Sequence, residues 1–342
     1  MNDFDETLPG PWEWDVKRLT ASVVIAARDQ GFTADEGRDA ALAAVSSYRT
    51  WMARYAEMND RAVWYSRVTA ADALTSAKKT HGVRTKAVKK VLTKARAHDS
   101  LQAFDKLTKV VDGVPRFVER PPLITHLTAE QADLEMAGRH AFAGYEKTLP
   151  DEWRVLLDRY AIVDLAFKVV GVGSVGTRDL VVLLMGRDDG DPLILQLKEA
   201  GPSVLEAYAG RSRYRNHGHR VVVGQHIIQA ASDIFLGWIK NNEPQGRDFY
   251  VRQLHDLKGS FPADRARPAG LELYGGLCGW ALARAHARSG DRLAIAAYLG
   301  PGDRFDEAVA DFAEAYADQA ERDFALATNA VKQGRIKVET GV

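Results

Sequence analysis

The sequence predicts an α+β fold, with one antiparallel sheet set into a mostly helical chain. Three observations carry that expectation. Apolar residues recur at helical spacing from Thr33 to about Leu107. Five short apolar segments fall between Ala161 and Leu254, three before and two after a helical stretch, which implies a five-stranded sheet. A long amphipathic helix then returns from Asp306 to Val331.

In chain order, the acidic opening residues NDFDE are separated by the turn Leu8-Pro9-Gly10-Pro11 from a helix that starts near Trp12. Ala41, Ala44, Val45 and Tyr48 mark the buried face of the next helix, continued by Trp51, Met52 and Tyr55. Asn59 and Asp60 break and cap it before a further helix through Ala77. Lys78 to Lys109 is basic but poor in aromatic residues for base stacking, so it reads as a solvated helix face. Val114 to Pro122 reads as a short strand ended by its proline pair, followed by a helix from Thr128 to about Tyr145. Glu152 to Tyr160 is helical, and a boundary falls near residue 150.

The strands Ala161–Val170, Leu180–Met185 and Leu193–Leu197 come next. Ser203 is the expected N-cap of a short helix, VLEAYAG. His217 and His219 sit in a basic stretch expected to be an exposed loop, ahead of a helix from Val221 to Asp233. Ile234–Lys240 and Phe249–Leu254 complete the five strands, and a Pro- and Gly-rich connector follows. In the helix from Leu273 to Ala287, Gly275, Gly276 and Gly279 imply close packing or a late start. In the last helix Val309, Phe312 and Tyr316 define the face expected to enter the core.

Composition excludes several classes. The 342 residues carry no net charge, so nothing global points to nucleic acid or a membrane surface. Cys278 is the single cysteine, which rules out an internal disulfide and fits a reducing cytoplasm. No stretch approaches the roughly 20 apolar residues that span a bilayer, and the acidic N-terminus lacks the apolar core of a signal peptide.

Chemistry concentrates in two places. Gly171, Gly173 and Gly176, with Ser174 between them, form G-x-G-x-x-G, which lets backbone N–H groups approach phosphate. A dinucleotide-binding turn requires a helix after the third glycine. Here LVVLLM has strand composition, and the following strand ends on Lys198, the order of a kinase-type phosphate cover or of an ordinary glycine-rich hairpin with a surface lysine. The second place is NDFDE, where Asp3 and Asp5 repel unless protonated, paired or bridged by a cation such as Mg²⁺; taken alone it reads equally as a solvated acidic terminus ahead of a helix.

FDETLPGPWEWDVKRLTAS, GVGSVGTRDLVVLL, LQLKEA, FYVRQLHDLKGS and CGWALARAHARSGD together resemble the bacterial family "domain of unknown function 2252", nearly end to end. The resemblance implies a circularly permuted kinase-like fold, similar to aminoglycoside phosphotransferases. Residues 1–150 would be a helical large-lobe portion, 151–258 a small lobe, and 259–342 the helical remainder of the large lobe. It implies ATP and Mg²⁺ as cofactors, with Asp3 and Asp5 on the metal and Lys198 on the phosphates. Glu206 is the expected partner of Lys198, in preference to Glu199 or to Gln225 on the next helix. Gln253 and Leu254 open a hinge for the nucleotide base, and Asp15 is expected to be structural.

The resemblance also implies a catalytic loop, G-D-x-H-x-x-N, just upstream of NDFDE. Met1 directly precedes Asn2 here, so the expectation is a shortened form of a longer cytoplasmic protein, with no catalytic residue assigned. The partners expected are a nucleotide and an unidentified phosphate acceptor, with no nucleic acid and no membrane. The alternative function is a non-catalytic, pseudokinase-like nucleotide-binding module.

Overall fold

The computed structural model describes residues 3–79, 85–86, 89, 93, 100–126, 142–169, 177–188, 190–239, 247–254 and 266–338. Helices α1 (Trp12–Asp29), α2 (Ala34–Glu57), α3 (Asp60–Tyr65), α4 (Ala70–Lys79) and α5 (Ser100–Leu107) precede strands β1 (Thr108–Val111), β2 (Val114–Phe117) and β3 (Ile124–His126). Next come α6 (Asp151–Leu157), β4 (Ala161–Lys168), β5 (Asp179–Met185) and β6 (Pro192–Ala200). Helices α7 (Glu206–Ala209) and α8 (His217–Ile228) separate these from β7 (Gly237–Trp238) and β8 (Asp248–Gln253). The chain ends in α9 (Pro268–Ser289), α10 (Arg292–Leu299) and α11 (Arg304–Lys332). Among the described residues no helix is long and apolar enough to cross a membrane.

The helical part is organised on the contact between α2 and α9. Helix α2 opens with a capping box, in which Thr33 Oγ1 accepts from Glu36 N and Glu36 Oε2 accepts from Thr33 N. Its buried face is Ala41, Ala44, Val45, Tyr48, Met52 and Tyr55, as the periodicity predicts. Gly275 and Gly279 bring α9 onto that face: a Cβ at 279 would stand 2.0 Å from Ala44 O, and one at 275 would stand 3.0 Å from Ala40 O. Helix α9 therefore starts at Pro268, with two of its glycines explained by close packing. Trp51 stacks on Trp280 at 4.0 Å between ring centroids, and Trp280 Nε1 donates to the Tyr55 hydroxyl.

Helix α11 packs differently from the expectation. Val309, Ala310, Ala313 and Ala317 are buried, while Phe312 and Tyr316 are 37% and 52% exposed and stack on each other outside. Small alanines, rather than the aromatics, allow α11 to approach α1 and α2. Arg49 anchors its first turn through Asp306, with Nη2 at 2.7 Å from Oδ2.

The main sheet has six strands rather than five, in the order β3-β4-β5-β6-β8-β7, every neighbouring pair antiparallel. The extra strand is β3, too short at three residues to show a period, and β7 pairs over only two residues. Both faces of the central strands are covered, which explains the unbroken apolar run in β5. Val181 and Leu183 meet Ala103 and Phe117 on one side, while Val182 and Leu184 meet Tyr145, Leu149 and Leu157 on the other.

A separate hairpin, β1–β2, replaces the single strand expected there. Buried Asp164, at the β4 irregularity, ties that hairpin down by accepting from Phe117 N, Arg116 Nη1 and His126 Nε2. Three smaller expectations also change. The helix expected through Ala77 is two helices, because Thr69 and Asp72 cap a fresh start. His217 and His219 lie in the first turn of α8, not in a loop, since Asn216 accepts from His219 N. Ser203 Oγ accepts from Leu205 N, and the short helix begins later, at Glu206. Most of the Thr128–Tyr145 helix and much of the basic tract lie outside the described residues.

Candidate functional site

The acidic N-terminal segment, nearly two hundred residues from β6 in sequence, folds against the end of that strand. Phe4 anchors it, buried with Ala200, Val221, Val222, Leu236 and Tyr250. Arg220 of α8, 3% exposed, gathers three carbonyls: Nη1 donates to Thr7 O at 2.7 Å, and Nη2 donates to Asp5 O at 2.8 Å and Gly201 O at 2.9 Å. The fit against α8 needs Gly224, where a Cβ would stand 2.4 Å from Thr7 Oγ1. Glu6 locks the far side, with Oε2 accepting from Val204 N and its carbonyl from Ser203 Oγ.

This scaffold fixes the Asp5 carboxylate between two donors. Lys198 Nζ reaches Oδ2 at 2.9 Å and the Tyr250 hydroxyl donates to Oδ1 at 2.7 Å. Lys198 and Tyr250 are cross-strand partners on β6 and β8, so one register sets both. Burial alone would raise the Asp5 pKa, but the Tyr250 hydroxyl and Lys198 outweigh it and hold the group below the usual carboxylate value. Asp3, in the left-handed backbone region at φ 69°, shares a hydrogen bond with Asp5 that, with burial, raises its own pKa. Two neighbouring carboxylates are thus shifted in opposite directions beside a lysine.

That donor set can do two things. A part-exposed ammonium near the end of a central strand can meet a phosphate oxygen. Two carboxylates can hold Mg²⁺ when phosphate and water complete its shell, the usual mode for that ion. They are too few for a self-sufficient metal centre, and no group of three or more His, Cys, Asp or Glu suited to a metal exists among the described residues. Asp3 and Asp5 could therefore hold Mg²⁺ only together with ligands from outside the protein.

The remaining candidates fall into place unevenly. Gly171, Gly173, Ser174 and Gly176 lie outside the described residues. Their flanks do not: β4 and β5 pair antiparallel, and Asp179, where β5 begins, is the cross-strand partner of Lys198. A strand so soon after Gly176 removes the dinucleotide-turn alternative. Lys198 meets Asp5, not Glu206. Glu206 lies on α7 among the charges around Arg220, and its Oε1 is buried without a hydrogen bond among the described residues. Glu199 binds Arg178 N and Arg247, and Gln225 is buried on α8 beside Gln229.

Gln253 is held by Asp233 through both its backbone N and its side chain, and buried Leu254 donates its N–H to Ile194 O. Asp15 accepts from His286 Nε2 at 3.1 Å, and His286 Nδ1 lies 2.8 Å from the Tyr48 hydroxyl, so Asp15 joins α1 to the core. Sequence reasoning missed Phe4, Arg220 and Tyr250. Only Tyr250 carried a usable signal, once β6 and β8 are placed in register.

The sequence model of one family, described as "Uncharacterized protein conserved in bacteria (DUF2252)", matches residues 1–330. Comparison with curated proteins and with solved structures gives no match.

Proposed function

We propose that this chain, which belongs to the bacterial family DUF2252, is built to hold the phosphates of ATP with Mg²⁺, as part of a circularly permuted kinase-like phosphotransferase. The Lys198–Asp5 ion pair carries the reading, because it joins the two motifs that sequence reasoning had placed in one site from opposite parts of the chain. Three strands, a helical segment and two more strands, in residues 151–258, support the small-lobe assignment.

Lys198 would bind phosphate oxygens, and Asp5 with Asp3 would hold Mg²⁺. When bound, that ion neutralises charge on the phosphates. Tyr250 and Lys198 keep Asp5 ionised and oriented for this role, and Arg220 fixes the backbone that carries it. Asp3, beside Asp5 and within its hydrogen-bonding reach, would supply the second carboxylate.

Thermal denaturation tests the reading. ATP with Mg²⁺ should raise the melting temperature, with the rise lost in Lys198→Ala and Asp3→Ala. An unchanged rise in both variants, or none in the parent chain, would contradict it. Turnover of ATP by the same protein separates a phosphotransferase from a module that binds nucleotide without using it.

A further inference from the structure

A cavity of about 230 Å³ lies between α2, α4 and α9, lined by Ser47, Trp51, Ser76, Glu272, Gly276 and Trp280 among others. It shares no residue with the Lys198–Asp5 site. We propose that it binds a small organic cation, a primary amine on a single-ring skeleton, independently of the nucleotide reading.

Three observations support this. First, Gly276 has no packing reason to be glycine. A Cβ there would meet only Ala43 O at 3.7 Å and Ser47 Cβ at 4.0 Å, both ordinary contacts, whereas Gly275 and Gly279 are pressed against the α2 backbone. Glycine weakens a helix relative to alanine. Its neighbours at 276, Ala43 and Ser47, line the cavity, so the missing side chain leaves that space open.

Second, the walls are rigid. Trp51 and Trp280 stack at 4.0 Å with an interplanar angle of 5°, Trp280 Nε1 is held by Tyr55, and Ser47 Oγ donates to Gly276 O at 2.6 Å. Preorganised aromatic walls lower the ordering cost of binding. Arg54 already covers a Trp51 face at 4.6 Å, so the ring pair serves as a wall and not as the charge partner.

Third, among the described residues Glu272, exposed at the rim, is the one ionisable residue in the lining, and it forms no ion pair there. A carboxylate beside hydroxyls and indoles selects a cation over an anion. The volume lies below the roughly 300–1,000 Å³ of drug-sized pockets, which limits the ligand to about one ring with a short arm.

Calorimetric titration with benzylamine, benzyl alcohol and benzoate tests the proposal, with tryptophan fluorescence as a second readout. Benzylamine should bind saturably, benzyl alcohol about threefold more weakly, and benzoate not at all. Glu272→Gln should weaken benzylamine about threefold, as for a solvent-exposed ion pair, without changing benzyl alcohol, and Gly276→Leu should abolish both. If Gly276→Leu fails to fold, Gly276→Ala serves, with weaker binding at unchanged or higher melting temperature. Benzoate binding as well as benzylamine, a Glu272→Gln variant indistinguishable from the parent, no saturation by any probe, or a Gly276→Ala variant of lower melting temperature would each overturn it. None of these outcomes depends on ATP binding.

Discussion

Replacing Tyr250 with Phe removes one hydroxyl from the candidate site and leaves the ring in its apolar cluster. The lost bond, 2.7 Å from the hydroxyl to Asp5 Oδ1, is made to an ionised acceptor inside the protein. Such bonds contribute about 1.5–3 kcal/mol. Because Lys198 remains on Oδ2, the lower half of that range, about 2 kcal/mol, is the expected loss at pH 7. The sign of the pH dependence follows from Asp5. Its folded pKa is lowered, so its contribution is complete above the unfolded value of about 3.9 and fades as the pH falls through the folded value.

Urea denaturation of the parent and Tyr250→Phe chains from pH 7 to pH 3 should therefore give a difference that is constant above about pH 5 and shrinks below about pH 4. Tyr145→Phe is the control, because its hydroxyl donates to the Phe235 carbonyl and its effect should not follow Asp5. A Tyr250→Phe difference that is flat to pH 3, or below about 0.5 kcal/mol at pH 7, would refute the claim that this hydroxyl holds an ionised Asp5.

Gly279→Ala forces a Cβ to within 2.0 Å of Ala44 O and should cost about 1–3 kcal/mol or more by urea midpoint, with Gly275→Ala milder at 3.0 Å. Arg49→Ala leaves the Asp306 carboxylate, 2% exposed, without its cation, and a loss of about 3–5 kcal/mol is expected in the same assay. Asp164→Ala removes the acceptor for Phe117 N and Arg116, so hydrogen exchange should speed up across 108–117 while α2 and α9 stay protected.

The helical core was legible because its signal is local. Tyr48, Met52 and Tyr55 lie at helical spacing, and all are buried. Asn59 was readable as a cap for the same reason, and its side chain accepts from Ala62 N. The strands flanking Lys198 were legible from composition, since a sheet covered on both faces needs continuous apolar runs. Strand β3 was not, because three residues show no alternation. Phe312 and Tyr316 misled because hydrophobicity alone ranks them above alanine, while the close approach of α11 to α1 and α2 selects Ala313 and Ala317.

At the site, Asp5 and Lys198 were legible as residue types suited to metal and phosphate, but their contact was not. It depends on Phe4 finding a pocket built from β6, β8 and α8, and on Arg220 gathering carbonyls from two loops. Such long-range closure leaves no periodic trace. The expected Lys198–Glu206 pairing followed chain order, whereas the folded chain brings Asp5 closer.

On the proposed reading, Lys198 meets phosphate while Asp3 and Asp5 meet the metal. Equilibrium titration of ATP into the parent chain, Lys198→Ala and Asp3→Ala, each with Mg²⁺ and with a chelator, separates the two roles. Lys198→Ala should weaken ATP binding in both conditions, and Asp3→Ala only when Mg²⁺ is present. ATP binding that ignores Mg²⁺ in the parent chain, or that survives both substitutions unchanged, would contradict it.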